Sequence, residues 1–301
     1  MTEAIIQIIR SPLELQAVSK ELRKNGKQIG LVPTMGALHQ GHLSLVEKCK
    51  SENDITIVSV FVNPLQFAPN EDFEKYPRDF ETDSRLLAGA GADIIFFPTA
   101  SELFPKNVIA GNGFSTTVKV DGMSTLLEGE IRPGHFDGVT TIVNILFNCS
   151  LADNAYFGQK DAQQAAIIQK MVKDLLMPVK VNIIPTMREH DGLAMSSRNI
   201  YLSAQERAEA VVLFKVLNHA RTLINSGVRN SAGILAEAKK ILSESSIAKI
   251  DYIRIVRASS FIDAEILSNG KYYLVIACRF GATRLLDNLF IEISGDKIIL
   301  Q

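Results

Sequence analysis

The sequence predicts an α/β protein: a doubly wound parallel sheet followed by a smaller α+β domain. Three observations carry this reading. β-branched runs such as IGLVPT and ITIVSVFVNP alternate with segments whose apolar residues recur at helical spacing. Glycine-containing turns join them into strand–turn–helix–strand units, which require parallel pairing and right-handed crossovers. From residue 187 onward the texture changes to long helical patterns and three apolar strands, IDYIRIV, YYLVIAC and LFIEIS.

Ser11-Pro12-x-Glu14 predicts a helix start, with a hydroxyl cap, proline in the first turn and a glutamate returning to the cap; Asn25-Gly26 predicts its stop. IGLVPT, ended by proline, predicts a buried strand. GHLSLVEKCKSE follows with Leu43, Leu45, Val46 and Cys49 on one helical face, and ITIVSVFVNP from Ile55 predicts a strand buried on both sides. A charged helix over 79–90 leads into DIIFFP at 93–98. Helices over 139–148 and 161–176 lead into AYFG and VKVNIIPT. Together these elements predict a Rossmann-like domain over residues 1–186. In the second domain, 187–301, Ser203-x-x-Glu206 predicts a capping box opening one long helix, AQERAEAVVLFKVLNHARTLI. Ser231 is expected to open another, and Asp287-Asn288 to lie near a turn.

A chain of 301 residues with 47% hydrophobic content can bury a large core. The 32 basic and 33 acidic residues leave a formal charge of −1, which gives no sign of a nucleic-acid or anionic-membrane partner. The opening stretch carries Glu3 and Arg10 and lacks the pattern of a secretory signal. No apolar run approaches the roughly 18 residues of a membrane helix. Cys49, Cys149 and Cys278 are far apart with no CxxC, which argues against disulfide scaffolds and thiolate zinc. The expectation is a cytoplasmic protein.

Five segments could carry chemistry. In PTMGALHQGH, residues 33–42, Gly36 and Gly41 let the backbone approach a ligand, and the helix predicted to begin near Gly41-His42 offers N–H groups to an anion. The helix dipole disfavours a protonated histidine there, so His39 and His42 would donate hydrogen bonds to phosphate. The alternative is a capping turn with exposed imidazoles; zinc lacks a third ligand. No GxxxxGK[ST] is present, and GNGFST and GAGAD do not complete GxGxxG. In FGQKDAQQ, Gly158 turns, Lys160 offers a cation, Asp161 is a helix cap or a ligand contact, and Gln163 and Gln164 follow in the first helical turn. In GLAMSSRN, two hydroxyls beside Arg198 could wrap phosphates as a lid would, or the loop is simply solvated. FVNPLQF sets Gln66 among apolar neighbours, suiting a small polar ligand. In EGEIRPGHFDGV, Arg132 and His135 occupy a rigid turn that is either functional or only a helix introduction.

These strings in this order, with YPRDFETD and PTMREHDGLAMSSRNIYLS, resemble the pantothenate synthetase family of ATP-dependent ligases across residues 31–202. HQGH is similar to the HxGH signature of the nucleotidyltransferase superfamily that includes class I aminoacyl-tRNA synthetases, and MSSR to its mobile KMSKS loop. The resemblance implies condensation of pantoate with β-alanine through a pantoyl adenylate, releasing AMP and pyrophosphate. It implies ATP as co-substrate with Mg²⁺, and a homodimer. Carried over by position, Met35, Gly36, Ala37, Leu38, His39, Gln40, Gly41 and His42 line the ATP site, with His42 nearest the chemistry as an electrostatic stabiliser. Gly158, Gln159, Lys160 and Asp161 match the nucleotide-binding loop. Met187, Met195, Ser196, Ser197 and Arg198 match further ATP contacts. His39, Lys160 and Arg198 join His42 as catalytic candidates. Gln66 and Gln164 match the pantoate contacts, with Asn63 and Tyr76 lining the same pocket. Two departures stand: the family often has Glu where Gln159 stands, and Thr82 interrupts the acidic residues after YPR, leaving Asp83 and no assigned metal ligand. Two other classes compete: a nucleotidyltransferase stopping at an adenylylated product, and a nucleotide-sensing module that keeps the fold but not the chemistry. The paired glutamines argue against the first. The retention of His42, Lys160 and Arg198 argues against the second.

Overall fold

The computed structural model describes residues 6–68, 71, 73–105 and 113–301. The expectations for the opening stretch up to Ile5, and for Gly111 and Asn112 of GNGFST, lie outside those residues. The chain divides into two compact units, Met1–Gly158 with Ile167–Ile184, and Gln159–Ala166 with Pro185–Gln301.

The first unit is built on strands β1 (Gln7–Ile9), β2 (Ile29–Thr34), β3 (Ile55–Val60), β4 (Ile94–Phe96), β5 (Asn154–Gly158) and β6 (Lys180–Ile184). They form one sheet in the order β1-β4-β3-β2-β5-β6, every pair parallel. Helices α1 (Pro12–Lys24), α2 (Gln40–Glu52), α3 (Phe80–Gly89), α4 (Ala100–Leu103), α5 (Glu128–Ile131), α6 (His135–Ser150) and α7 (Ala162–Asp174), the last belonging to this unit from Ile167 onward, make the connections. From β2 the chain winds outward through β3 and β4, while β5 and β6 extend the sheet the other way. The order therefore reverses between β2 and β5, the place where open α/β sheets bind ligands. Being parallel, β3, β2, β5 and β6 present their carboxyl ends on one edge, and FVNPLQF, PTMGALHQGH, FGQKDAQQ and PTMREHD follow those four strands in the chain. The alternating-pattern reading is borne out, with one omission: β1, read only as an apolar stretch, pairs with β4.

Local chemistry explains the boundaries. The Ser11 hydroxyl accepts from Glu14 N–H at 3.4 Å, without the reciprocal glutamate bond expected of a capping box. The helix expected from Val139 begins four residues earlier, because Gly134 adopts φ 82° and turns the chain directly into α6 at His135.

The second unit contains α8 (Ala204–Ala210), α9 (Val212–Asn225) and α10 (Ser231–Leu242), then β7 (Ala248–Arg257), β8 (Gly270–Phe280), β9 (Thr283–Ser294) and β10 (Lys297–Leu300). The strands form an antiparallel sheet in the order β10-β9-β8-β7. Its core joins Leu213, Val216, Leu217 and Ile224 of α9 to Ile253, Leu274, Ile276 and Leu289 of the sheet. Two expectations are corrected. The predicted long helix is two helices that part at Val211, where φ −60° and ψ −18° stay in the right-handed region, so the apolar period passes the break unaltered. α10 does open at Ser231, and its cap is Asn230, whose side chain accepts from Gly233 N–H at 2.9 Å. Asp287 and Asn288 sit within β9, each 2% exposed, rather than near a turn. No helix among the described residues is long and apolar enough to cross a membrane.

Candidate active site

In the first unit, the chain leaving β2 turns through two consecutive left-handed residues, Gly36 at φ 81° and Ala37 at φ 51°. A Cβ at Gly36 would lie 2.7 Å from Asp83 Oδ2 and 3.2 Å from Val60, so both the dihedral and the space require glycine. Ala37 carries the strain of that region, roughly 1–2 kcal/mol. Asp83 holds it there. Its carboxylate, 3% exposed on α3, accepts Ala37 N–H at 3.0 Å and Leu38 N–H at 2.8 Å. Burial pushes the Asp83 carboxyl above its ordinary range, against the pull of those two bonds.

Beyond this turn His39 is the N-cap of α2, and its Nδ1 accepts Gly41 N–H at 3.1 Å. His42 Nδ1 accepts His39 N–H at 3.4 Å, and the two rings lie 4.1 Å apart. An imidazole that accepts at Nδ1 is the neutral tautomer with its hydrogen on Nε2. The capping and phosphate-donor alternatives are therefore compatible: Nδ1 shapes the turn and Nε2–H is a donor.

The segment after β3 is anchored beside that loop. Asn63, 1% exposed, accepts from Leu65 N–H at 3.1 Å and donates to Gln66 Oε1 at 3.2 Å and to Gly138 O at 3.1 Å. Gly138 permits this contact, since a Cβ there would lie 2.2 Å from Leu65 O. The Gln66 carboxamide approaches Met35, with Nε2 2.7 Å from the sulfur. Phe67 meets the ring of Tyr76 edge-on at 6.0 Å. Met35, Gln66 and Asn63 are thus brought together, and Tyr76 packs against Phe67 beside them.

Arg132 and His135 have a definite task here. The Arg132 guanidinium donates Nε–H to Glu71 at 2.5 Å and Nη2–H to its other oxygen at 2.7 Å, and a further bond reaches Gln66 O at 3.3 Å. His135 donates Nδ1–H to the same carbonyl at 2.7 Å and accepts from Arg132 at Nε2, 3.1 Å away. The turn therefore braces the main chain of Gln66. Burial, reinforced by the Arg132 charge, pushes the His135 imidazole down to about 4 from 6.5. Because the folded value is depressed, the unfolded chain takes up the proton first as pH falls. The His135 contribution is full above the ordinary value and is lost between pH 6.5 and about 4. At about 1.4 kcal/mol per pH unit, that amounts to at most on the order of 3 kcal/mol. Urea denaturation across this window is expected to show the loss in the wild type and not in His135→Gln; parallel pH profiles would overturn the assignment.

In the second unit, Gln159–Asp161 form a 3₁₀ turn immediately before α7, with Lys160 Nζ 4.0 Å from Asp161. Gln164 lies in the first turn of α7, half-buried. Met187 and Met195 are joined by the bond from Met195 N–H to Met187 O at 3.0 Å, and Arg188 bridges Ala194. The Ser196 hydroxyl accepts Arg198 N–H at 3.3 Å, opening the short turn Ser197–Tyr201. Arg207 braces the 187–195 hairpin through Glu189 and Asp191 at 2.7 and 2.8 Å, and Asn199 ties the following MSSR turn to it by donating to Glu189 at 2.8 Å and to Ala194 O at 3.1 Å. Burial pushes the thiols of Cys49 and Cys149 up to about 11 and Cys278 to about 12, leaving no activated thiolate among them.

Sequence reasoning missed Asp83 as the acceptor that shapes the turn after β2. It stood out only as an acidic residue of YPRDFETD, which does not distinguish it from solvated neighbours on a charged helix.

Comparison with known proteins gives one consistent family. A family model described as pantoate-beta-alanine ligase matches residues 7–290. The chain is 49% identical over 280 residues to the pantothenate synthetase of Caldicellulosiruptor saccharolyticus, covering 93% of this chain and 97% of that protein. Against the pantothenate synthetase of Staphylococcus haemolyticus it is 46% identical over 287 residues, covering 95% and 98%. Among solved structures, pantothenate synthetase from Thermus thermophilus superposes with a TM-score of 0.87 at 41% identity, covering 94% of this chain and 99% of that one. The pantoate-beta-alanine ligase of Francisella tularensis, solved in complex with beta-gamma ATP and beta-alanine, gives a TM-score of 0.74 at 32% identity, covering 94% and 97%.

Proposed function

The chain is an enzyme of the pantoate–β-alanine ligase family, and from that premise we propose that it condenses pantoate with β-alanine through a pantoyl adenylate. A pantoate carboxylate oxygen attacks the α-phosphorus of ATP, the bond to the β-phosphate breaks, and pyrophosphate leaves. The β-alanine amine then attacks the acyl carbon and loses a proton as AMP departs. A free carboxylate is a poor acyl electrophile, so a phosphoanhydride leaving group must be installed first. Displacement at phosphorus needs positioning and charge neutralisation more than a covalent nucleophile, which suits a chain whose cysteines are buried thiols.

The observation that carries this reading is the meeting of Gln66 and Met35 at 2.7 Å within one unit. A pantoate carboxylate held by Gln66 would lie beside the loop that receives the phosphates. His42 stabilises charge developing on the phosphates through its Nε2–H, and His39 contacts the nucleotide. Met35–His42, Gly158–Asp161, Met187 and Met195–Arg198 contact ATP, with Lys160 and Arg198 neutralising charge and the 187–301 segment acting as a lid domain. Gln164 is the second pantoate contact, and Asn63 and Tyr76 line the pocket.

Among the described residues no group of three or more His, Cys, Asp or Glu side chains could hold a metal ion. The Mg²⁺ that the family resemblance implies is proposed to be carried on the ATP phosphates, where it would neutralise charge. The proposal extends to a homodimer working in the cytoplasm.

Assays with ATP and pantoate, with and without β-alanine, test the function. AMP release requiring both co-substrates is expected; an adenylylated product that accumulates unchanged by β-alanine would favour a plain nucleotidyltransferase. Gln164→Ala is expected to raise the Kd for pantoate roughly tenfold, the effect of one lost hydrogen bond, with ATP affinity little changed. The reverse pattern would mean that the pocket is misassigned.

A further inference from the structure

Strand β9 reads TRLLDNLFIEIS, and in its middle two polar residues, Asp287 and Asn288, are each only 2% exposed. A buried polar pair in a strand otherwise rich in Leu, Ile and Phe is costly unless fully hydrogen-bonded. Consecutive strand residues face opposite sides of the sheet, and these two serve different loops.

Asn288 Nδ2 donates to Gln159 O and to Lys160 O, both at 2.9 Å, while its Oδ1 accepts from Gln159 Nε2 at 3.3 Å. Gln159 Nε2 also donates to Gln301 O at 3.1 Å. Two carbonyls as partners fix which end of the Asn288 amide is nitrogen. Asp287 receives Arg188 Nη1 and Nη2 at 2.7 and 3.0 Å, a bidentate pair, and its Oδ1 also accepts Asn288 N–H at 2.8 Å. Arg188 in turn donates to Gly192 O at 3.1 Å and lies over the Phe214 ring at 4.9 Å. It sits next to Met187 and bridges Ala194, next to Met195.

We infer that Asp287 and Asn288 are positioning residues for the nucleotide, one strand fixing two separate ATP-contacting segments. Asn288 sets the main chain of Gln159 and Lys160, and Asp287 sets the Met187–Met195 hairpin through Arg188. Stability alone does not explain the pair, because a buried ion pair replaced by packed apolar residues is often neutral or stabilising. What the polar pair supplies is a defined spacing between the two segments. This inference rests on reading 159–161 and 187–198 as nucleotide contacts.

The test uses the full chain carrying Asn288→Ala or Asn288→Leu. The second variant keeps the side-chain volume in β9 while removing the donors to the Gln159 and Lys160 carbonyls, and decides the question if the first does not fold. Thermal melting establishes folding; the readouts are KM for ATP, KM for β-alanine, kcat, and hydrogen exchange of the 157–164 peptide without nucleotide. Expected are faster exchange over 160–164 and a KM for ATP raised roughly tenfold, one to two lost hydrogen bonds, with KM for β-alanine within about twofold. Unchanged exchange and unchanged KM for ATP in a folded variant would overturn the tether. Equal losses in every parameter would reduce the pair to a structural role and overturn the inference. Faster exchange with KM for ATP unchanged would instead overturn the reading of 159–161 as a nucleotide loop.

Discussion

In the proposed reaction, replacing His42 by alanine is expected to slow adenylate formation by roughly 10²–10³-fold, the scale for losing one preorganised donor to transition-state charge. The His42 ring is set before any ligand arrives. Its Nδ1 accepts His39 N–H at 3.4 Å, and the His39 ring lies 4.1 Å away, so the neutral Nε2–H tautomer is in place. No reorientation is needed as negative charge builds on the phosphates. The substitution also removes one capping bond, a loss of about 1 kcal/mol in helix stability. That is too small to unfold the chain and leaves the kinetic effect interpretable. Single-turnover release of pyrophosphate from ATP and pantoate measures the step. A rate near wild type would remove His42 from the chemistry.

Asp83→Asn should separate conformation from stability. The carboxylate offers an oxygen to each of two main-chain amides, Ala37 at 3.0 Å and Leu38 at 2.8 Å. Asparagine offers one oxygen and turns an NH₂ toward the other amide. Hydrogen bonds to charged groups contribute roughly 1.5–3 kcal/mol each, so about 3 kcal/mol of preference for the left-handed Ala37 turn disappears. With Met35–His42 as the proposed ATP loop, that loss is expected to lower apparent ATP affinity by up to roughly 10²-fold. Global stability changes less, on the order of 1 kcal/mol, because the substitution also relieves the burial that pushes the Asp83 carboxyl up. ATP titration beside urea denaturation measures the two effects. Equal ATP binding in the variant would show that the loop holds its shape without Asp83.

Much of the candidate site was legible because its residues follow strands directly. Thr34, Val60, Gly158 and Ile184 end strands that local alternation already marks, and parallel pairing puts strand carboxyl ends on one edge whatever the loops contain. Mistakes arose where local chemistry was read without its partners. Asp-Asn is a common turn dipeptide, yet in β9 each side chain finds a buried partner far along the chain, Arg188 for one and Lys160 for the other. For Arg132 and His135 the sequence left a functional turn and a plain helix introduction both open, and their role became visible only against Gln66.

By itself the sequence determined the alternating α/β pattern and several helix ends, and it marked the segments proposed to hold phosphate and a small polar acid. Periodicity, turn residues and capping are interactions over a few positions, and a linear reading contains them. The tertiary structure alone decided that Asp83 shapes the turn after β2, that Arg132 and His135 brace Gln66, and that β9 tethers the segments around Lys160 and Met187. Those bonds join residues tens of positions apart or more. Strand order and register choose such partners, and no local pattern records the choice.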